Sequence, residues 1–352
     1  MLRKVLVSAI SILAVFSTIT LKAQDSASAG TLNITGSVDV YYRFNFQNAK
    51  DSGRINNKTS FTNSQNSFEL GMASLKFDYS KGKVGAVADL GFGTRAAEFS
   101  YNESGILAAV KQAYVTYAPS DKVKFTAGKW ATHVGYELLD PQLNKNYSMS
   151  YMFSYGPFSH TGLKADFTFG GGFAGMLGIS NPTDYISAPF GKKNVIAQLS
   201  KVGDKFSGYL NYVGGKDLFD NSINQFGLTA LYTASDKFSL GYDGTVKAVK
   251  PSAGSSASWY GSALYINVSP AEKFGFCVRG EYFSDDDGVA GFGTSLFDAT
   301  LSFNIKPVKG IMIVPEFRVD AAKDPMFFKN EDTVNPTSKS AGSFSVAAIF
   351  SF

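Results

Sequence analysis

The 352-residue sequence predicts an all-β fold, a closed antiparallel up-and-down barrel of 16 strands that spans a membrane. Three observations predict it. Long segments alternate apolar and polar residues, seven short turn sequences alternate with long polar loops, and no apolar run beyond residue 24 is long enough for a membrane helix. Strands that cross lipid must close into a barrel, because an open edge finds no hydrogen-bond partners in hydrocarbon. Barrels of fourteen or eighteen strands are the alternatives.

Residues 1–24 have the layout of a secretory signal peptide that is cleaved from the mature chain. Arg3 and Lys4 precede an apolar run from Val5 to Leu21, and small residues follow it. An uncleaved membrane anchor is the alternative, but the run is short for a membrane span. The sequence therefore predicts an exported protein.

The charge of the mature chain argues against a nucleic-acid partner. The full sequence has a formal net charge of +4, and residues 1–24 hold three basic and no acidic residues, so the remainder carries +1. Its charges are scattered singly, whereas nucleic-acid binding needs Lys and Arg clustered on one surface. The single cysteine, Cys277, allows no internal disulfide.

No linker divides the rest of the chain into domains. The sequence contains 31 Phe, 18 Tyr and 35 Gly but only 11 Pro, a composition that fits many strands and turns. We predict a short periplasmic N-terminal segment at residues 25–31 and a single barrel domain over residues 32–352.

The first and last strands show the alternation most clearly. From Leu32 to Phe46 it runs without a slip, which is longer than the roughly 9 to 11 residues that cross a bilayer at a tilt. Residues 343–352 repeat it, and Ile349 is the one large apolar residue on the polar face. Taken alone, this last segment could also be an edge strand of a soluble sandwich, because the pattern in one strand is weak evidence.

The segments between them repeat the pattern and give the strand count. Seven short turns imply eight hairpins, and hence sixteen strands with both termini at the turn rim. The predicted turns are residues 81–82, 119–122, 170–172, 203–205, 234–237, 270–273 and 307–310. The predicted long loops are residues 47–66, 94–106, 131–158, 181–192, 214–224, 249–256, 284–295 and 324–340.

The third long loop, residues 131–158, is the predicted constriction of the barrel. Its segment 147–157 is aromatic and could form a further strand, but that would give an odd count of seventeen. We assign it to the loop, since a long connection without structure of its own is usually functional. The candidate constriction residues are Asp140, Lys145, Tyr147, Tyr151 and Tyr155.

Polar residues on the inward faces form the predicted lumen wall. Their charges are of mixed sign, so they could orient polar solutes in a transverse field, or they could be salt bridges that brace the wall and select nothing. The predicted pore-lining residues are Asp39, Tyr41, Arg43, Lys164, Asp166, Arg279, Glu281, Glu316, Arg318 and Asp320.

Catalytic and metal-binding patterns are weak. His133 and His160 are the two histidines, and with one cysteine they give no ligand spacing for a transition metal. The acidic run at residues 285–288 lacks the spaced ligands of a calcium loop. No nucleotide-binding motif opens a helix. We predict no enzyme activity, no metal and no cofactor.

Short barrel-like motifs lie at residues 36–43, 112–115, 127–130, 157–162, 279–283 and 315–318. In this order they resemble the motifs of the OmpL-like putative β-barrel porins of Bacteroidota and other Gram-negative outer membranes. The resemblance implies a passive porin without catalytic residues. The ending Ile349–Phe352 resembles the terminal signal that the barrel-assembly machinery binds.

We therefore predict an outer-membrane porin for the passive diffusion of small hydrophilic solutes through a water-filled lumen. Its other predicted partners are outer-membrane lipid and lipopolysaccharide, and a homo-oligomer or a larger complex is left open. The alternative is a structural barrel, plugged by its own loops, that acts as a scaffold or accessory subunit of an outer-membrane complex.

Overall fold

The computed structural model describes residues 30–47, 56–329 and 335–352, and these form one closed antiparallel β-barrel. Sixteen strands pair in sequence order, and the first closes against the last. The predicted strand count is therefore confirmed. The predicted signal peptide and most of the predicted segment 25–31 lie outside the described residues.

The strands are joined by short turns at one rim and mostly longer loops at the other, as the sequence predicts. The turns have two to five residues and the loops up to 27. The strands are β1 (Thr31–Asn45), β2 (Ser67–Lys81), β3 (Val84–Phe92), β4 (Val110–Ser120), β5 (Val123–Ala131), β6 (Ser159–Gly170), β7 (Phe173–Ser180), β8 (Asn194–Val202), β9 (Phe206–Lys216), β10 (Ser222–Ser235), β11 (Phe238–Lys250), β12 (Ala257–Ala271), β13 (Phe274–Ser284), β14 (Ser295–Ile305), β15 (Ile311–Ala322) and β16 (Ser340–Ser351).

The barrel closes where β1 pairs with β16. Val38 lies opposite Phe350 and Val40 opposite Ala348. Beyond this register, the backbones of Gly36 and Phe352 exchange two hydrogen bonds, with N···O distances of 3.2 and 3.0 Å. The closed ring of strands removes the open edges that hydrocarbon would leave without partners.

The inner and outer faces of the strands differ as the alternation predicts. Val38 and Val40 are 43% and 46% exposed on the outside, whereas Asp39 between them is fully buried. In β16, Phe350 is 47% exposed and Ile349 is buried inside. The outer face is therefore an apolar band around a mostly polar interior.

Aromatic side chains form a girdle near each rim of the outer face, as in membrane barrels. Exposed members at the loop rim are Phe46, Phe68, Phe92, Phe226, Tyr260, Tyr282 and Phe297. Exposed members at the turn rim are Tyr79, Tyr117, Phe169, Phe173, Phe206, Tyr232 and Phe274.

Within the described residues, two of the long loops contain short helices. The loop between β3 and β4 contains helix α1 (Thr94–Phe99) and a 3₁₀ turn, Gly105–Ala109. The loop between β5 and β6 contains a 3₁₀ turn, Pro141–Leu143, and helix α2 (Tyr151–Tyr155). Residues 147–157 are thus loop and not a seventeenth strand. Within the described ranges, no helix is long and apolar enough to cross a membrane.

Candidate functional site

The candidate site is the barrel lumen together with the loop that folds into it. We call residues 132–158, between β5 and β6, the plug. Its residues Tyr147, Tyr151 and Met152 are at most 3% exposed. They pack against inward residues of β12 to β16 and β1, which we call the anchoring wall. The plug therefore lies within the barrel against one side of it.

Glu281 on β13 fixes the start of helix α2 to the anchoring wall. Its carboxylate accepts the backbone N–H groups of Tyr151 at 2.7 Å and Met152 at 2.8 Å. Ser150 caps the helix, because its hydroxyl oxygen accepts the Phe153 N–H at 3.1 Å. The first N–H groups of a helix have no partners within it, so these contacts satisfy them.

Glu316 on β15 holds the preceding part of the plug. Its carboxylate accepts the N–H groups of Tyr147 at 2.7 Å and Ser148 at 3.1 Å. It also accepts the Ser302 hydroxyl of β14 at 2.7 Å. Such charge-assisted hydrogen bonds are roughly twice as strong as neutral ones. The two wall glutamates therefore fix the plug backbone over residues 147–152.

Two buried arginines bind the plug and share one acid. Arg279 donates to Asp298 at 2.7 Å and to the Ser148 carbonyl at 2.8 Å. Arg318 contacts Asp298 at 3.0 Å and donates to the Met149 carbonyl at 2.6 Å. Asp298 is fully buried. These charges are at most 4% exposed, so each depends on its protein partners.

Two predicted wall acids meet two predicted plug tyrosines. The Tyr147 hydroxyl donates to Asp39 at 2.6 Å, and the Tyr151 hydroxyl donates to Asp320 at 2.7 Å. Arg318 also donates to Asp320 at 2.7 Å. Wall and plug residues that are more than 100 positions apart in sequence thus form one hydrogen-bonded network.

The other two predicted residues of β1 also face the interior and contact loops. Tyr41 packs on Tyr147, with ring centroids 5.4 Å apart. Arg43 donates to the Ser64 carbonyl at 2.9 Å, in the loop between β1 and β2. Both are less than 5% exposed.

Lys164 and Asp166 on β6 lie away from the anchoring wall. They pair at 3.0 Å, and their side chains remain 18% and 30% exposed. They are thus the two predicted wall residues that keep contact with open space in the lumen.

The remaining predicted plug residues have varied contacts. Asp140 pairs with Lys111 of the barrel at 2.5 Å. The Tyr155 hydroxyl donates to the Lys58 carbonyl at 3.0 Å. Lys145 contributes its backbone carbonyl to a side-chain amide of β14. Of the predicted constriction residues, Tyr147 and Tyr151 are the ones whose hydroxyls donate to acids of the anchoring wall.

Glu137 and Asp298 belong to the network but are absent from the predicted site. Glu137 accepts Arg279 at 2.6 Å and the Ser150 N–H at 2.8 Å. The alternation of β14 places Asp298 inward, which is its one sequence signal. Glu137 lies in a loop without periodicity, so the sequence gives it no distinct signal.

Arg95 of helix α1 is a second residue that the sequence does not single out. It is fully buried and donates to the carbonyls of Leu139 and Tyr147, each at 3.3 Å. Its guanidinium lies over the rings of Tyr147 and Phe61, 4.8 and 5.2 Å from their centroids. It therefore connects a second loop to the plug.

Cavities lie on both sides of the plug. Two turn-side cavities, of about 590 and 440 Å³, share Gln112 and Ala131 in their linings. A loop-side cavity of about 550 Å³ lies opposite. Phe99 lines the larger turn-side cavity and Phe158 the loop-side cavity, and their rings stack at 5.8 Å. Helix α1 and the plug thus separate the two ends of the lumen.

The cysteine is not grouped with the two histidines. Cys277 is buried and contacts Asn146 at 3.2 Å. His133 and His160 pack against each other at 5.2 Å. In the part of the chain that the structure describes, no three His, Cys, Asp or Glu side chains are grouped to hold a metal ion.

Comparison with known proteins gives one family and a common architecture. The family model described as "Putative beta-barrel porin-2, OmpL-like" matches residues 31–352. No curated protein matches the chain.

Three similar solved structures have related folds. The anion-selective porin from Comamonas acidovorans is 10% identical, with a TM-score of 0.63, and 92% of this chain covers 100% of it. The outer membrane channel DcaP of Acinetobacter baumannii is 13% identical, with a TM-score of 0.63 and coverages of 94% and 99%. The trimer form of OmpT, an outer membrane protein of Vibrio cholerae, is 12% identical, with a TM-score of 0.60 and coverages of 92% and 100%. At sequence identities this low, the comparison shows a similar fold and nothing more.

Proposed function

The chain belongs to the OmpL-like putative β-barrel porin-2 family, and on that premise we propose that its plug sets the size limit for passive diffusion. The protein is an outer-membrane porin that crosses the bilayer as a multi-pass barrel. Small hydrophilic solutes move down their gradients through its lumen, without a chemical step.

One observation carries the proposal: cavities whose linings include charged and polar side chains lie on either side of the plug. Sixteen strands enclose enough space for an aqueous channel. A loop folded inside narrows that channel, so the remaining gap admits small solutes and excludes large ones. Because the charges of the interior are of mixed sign, selection between cations and anions is weak.

The predicted wall residues divide into two roles under this proposal. Lys164 and Asp166, which remain partly exposed, line the path of the solute. The buried residues of the anchoring wall act indirectly, because they hold the plug and so fix the width of the gap. These indirect residues are Asp39, Tyr41, Arg279, Glu281, Glu316, Arg318 and Asp320. Arg43 instead holds the loop between β1 and β2.

We propose that the turn rim, with both termini, faces the periplasm and that the long loops face outward. Short turns and long loops have this arrangement in outer-membrane barrels. Residues 1–24 would then be a cleaved signal peptide, and residues 25–31 a short periplasmic segment.

The proposed partners follow from the outer surface and the last strand. The apolar band and its aromatic girdles fit outer-membrane lipid and lipopolysaccharide. The last strand, ending at Phe352, is the segment that the barrel-assembly machinery would bind. One structurally similar protein forms a trimer, which supports a homo-oligomer here.

A second candidate function is a plugged structural barrel that scaffolds an outer-membrane complex. The observation in its favour is that the plug is fixed by buried, paired charges, which would suit a permanent seal. A stoichiometric partner that co-purifies with an impermeable barrel would support it.

Swelling of liposomes that contain the folded protein tests the proposed function. We expect the swelling rate to fall steadily from glycerol to arabinose to sucrose, because the plug leaves a narrow gap. A folded barrel that admits none of these solutes would contradict the porin proposal and favour the scaffold.

A further inference from the structure

The two sides of the plug contact the barrel in different ways. On the anchoring wall, the carboxylates of Glu281 and Glu316 each hold two backbone N–H groups of the plug, and the charges of Arg279 and Asp298 are paired. Among the described residues that face β5 to β10, no arginine pairs with a plug acid, and the carboxylate that holds a plug N–H group is Asp184, which accepts from Phe158 at 2.8 Å. The plug is therefore held by charges mainly on the anchoring wall, and we call the side that faces β5 to β10 the packed side.

Four buried residues on the packed side each have a polar atom that lacks a hydrogen-bond partner within the described chain. These atoms are Trp130 Nε1, His160 Nδ1, Asn211 Nδ2 and Gln225 Nε2. Each residue is at most 5% exposed. Leaving such a group unpaired costs about 1–3 kcal/mol, and a small hydrogen-bonding molecule that reaches it removes the cost.

The polar groups on β5 and β6 follow one another along the plug. Trp130 on β5 lies opposite His160 on β6, and the His160 ring packs against His133 of the plug at 5.2 Å. The Gln198 amide donates to the His133 carbonyl at 3.2 Å and to Asn211 Oδ1 at 2.7 Å. The polar groups therefore continue from β5 to β9 along the plug.

The polar groups of Asn211 and Gln225 continue toward the loop-side cavity. Asn211 pairs with Gly227 on β10, and Gln225 precedes that glycine by two residues on the same face. A Cβ atom on Gly156 would lie 3.6 Å from Gln225 Nε2, and Gly156 lines the loop-side cavity. At the other end, Trp130 lines the smaller turn-side cavity. This row of polar groups therefore extends from the smaller turn-side cavity to the loop-side cavity.

The side chains around this row of polar groups disfavour charged solutes. Val134 of the plug packs with inward Met176, Ile196 and Val213 beside Trp130. An ion would lose its hydration between these apolar side chains, and Lys164, which lies 5.8 Å from the Trp130 ring centroid, is already paired with Asp166. A neutral molecule loses much less.

We propose that solutes pass the plug on its β5–β10 side, along Trp130, His160, Asn211 and Gln225, and that this path selects small uncharged hydrogen-bonding molecules. The inference rests on the proposed porin function and adds to it a route and a solute class. The anchoring wall takes no part in permeation.

Cysteine modification tests the route, and the native chain supplies its control because Cys277 lies on the anchoring wall. Asn211→Cys and Gln225→Cys are each placed in a Cys277→Ser background and checked for a folded, heat-modifiable barrel. The probe is methyl methanethiosulfonate, which is small and neutral, and its trimethylammonium-ethyl analogue is the charged comparison. Glycerol-driven liposome swelling is measured before and after treatment.

We expect the neutral reagent to lower the swelling rate at least about two-fold in both variants and to leave the wild type and Cys277→Ser unchanged. The charged reagent should react at least about ten-fold more slowly. Undiminished swelling in both treated variants, or block of the wild type through Cys277, overturns the route while leaving the porin function in place. Equal reaction rates for the two reagents overturn the solute class. If the untreated wild type does not swell in glycerol, the porin proposal itself fails, and the route with it.

Discussion

The carboxylate of Glu316 accepts the backbone N–H of Tyr147 at 2.7 Å, across 169 positions of sequence. A wall acid thereby fixes the backbone of a loop in the middle of the lumen. Because the acceptor is charged and buried, its removal leaves N–H groups without partners, each at a cost of about 1–3 kcal/mol. The position of the plug therefore depends on such wall carboxylates.

Replacing Glu316 with alanine should loosen the plug and widen the gap. Tyr147 and Ser148 lose their acceptor, so we expect larger and noisier single-channel currents in planar bilayers than in the wild type. Asp236→Ala, which removes an exposed acid in the turn between β10 and β11, is the control and should leave the noise unchanged. Identical current noise in Glu316→Ala and wild type would show that the plug does not depend on this contact.

Asp298→Asn should destabilise the barrel strongly. Asp298 is the shared partner of Arg279 and Arg318, and removing one partner from a buried charge network costs roughly 3–5 kcal/mol. Urea unfolding of vesicle-embedded protein measures this free energy. Asp166 is partly exposed, so Asp166→Asn should lower the free energy of unfolding by less than about 1 kcal/mol. Equal losses for the two variants would refute the role of the network.

Arg95→Ala should expose the plug to protease. Its guanidinium connects α1 to the Leu139 and Tyr147 carbonyls and lies over two aromatic rings. Without it we expect chymotrypsin to cleave at plug aromatics several-fold faster in the folded protein. Lys192→Ala, on an exposed loop, is the control and should match the wild type. Resistance of Arg95→Ala equal to that of the wild type would argue against this link.

The loop residue Asp184 should make stability depend on pH. Burial raises the pKa of its carboxyl from 3.8 to about 6, although it accepts the N–H groups of Phe158 and Ser159. The folded state therefore binds this proton more tightly, so its contribution to stability is present below pH 3.8 and is lost as pH rises through about 6.

The loss amounts to roughly 3 kcal/mol at most. Unfolding free energies measured between pH 3.5 and about 7 should show it in the wild type and not in Asp184→Asn. Asp217→Asn, in the neighbouring loop, should keep the wild-type profile. The same pH slope in Asp184→Asn would assign it to another group.

The barrel follows from the sequence because its signals are local. The period-two alternation of β1 sets Val38 and Val40 outward and Asp39 inward, whatever the rest of the chain does. The turn sequences likewise fix the strand count. The inward direction of the predicted wall residues needs no knowledge of the loops.

The interior of the barrel does not follow from the sequence, since its contacts are long-range. Glu137 and Arg95 lie in loops without periodicity, and their partners are distant in the chain. Alternation places Glu281 and Glu316 inward but cannot tell whether they meet water or a folded loop. The structure shows that they meet the plug.

Liposome swelling in sucrose, measured for the wild type and for a variant whose residues 137–155 are replaced by a short Gly-Ser linker, tests most directly that the plug limits a passive pore. We predict slow swelling for the wild type and swelling at least several-fold faster for the variant, whose lumen is open. Equal swelling rates in two folded barrels, or no wild-type swelling even in glycerol, would contradict this role of the plug.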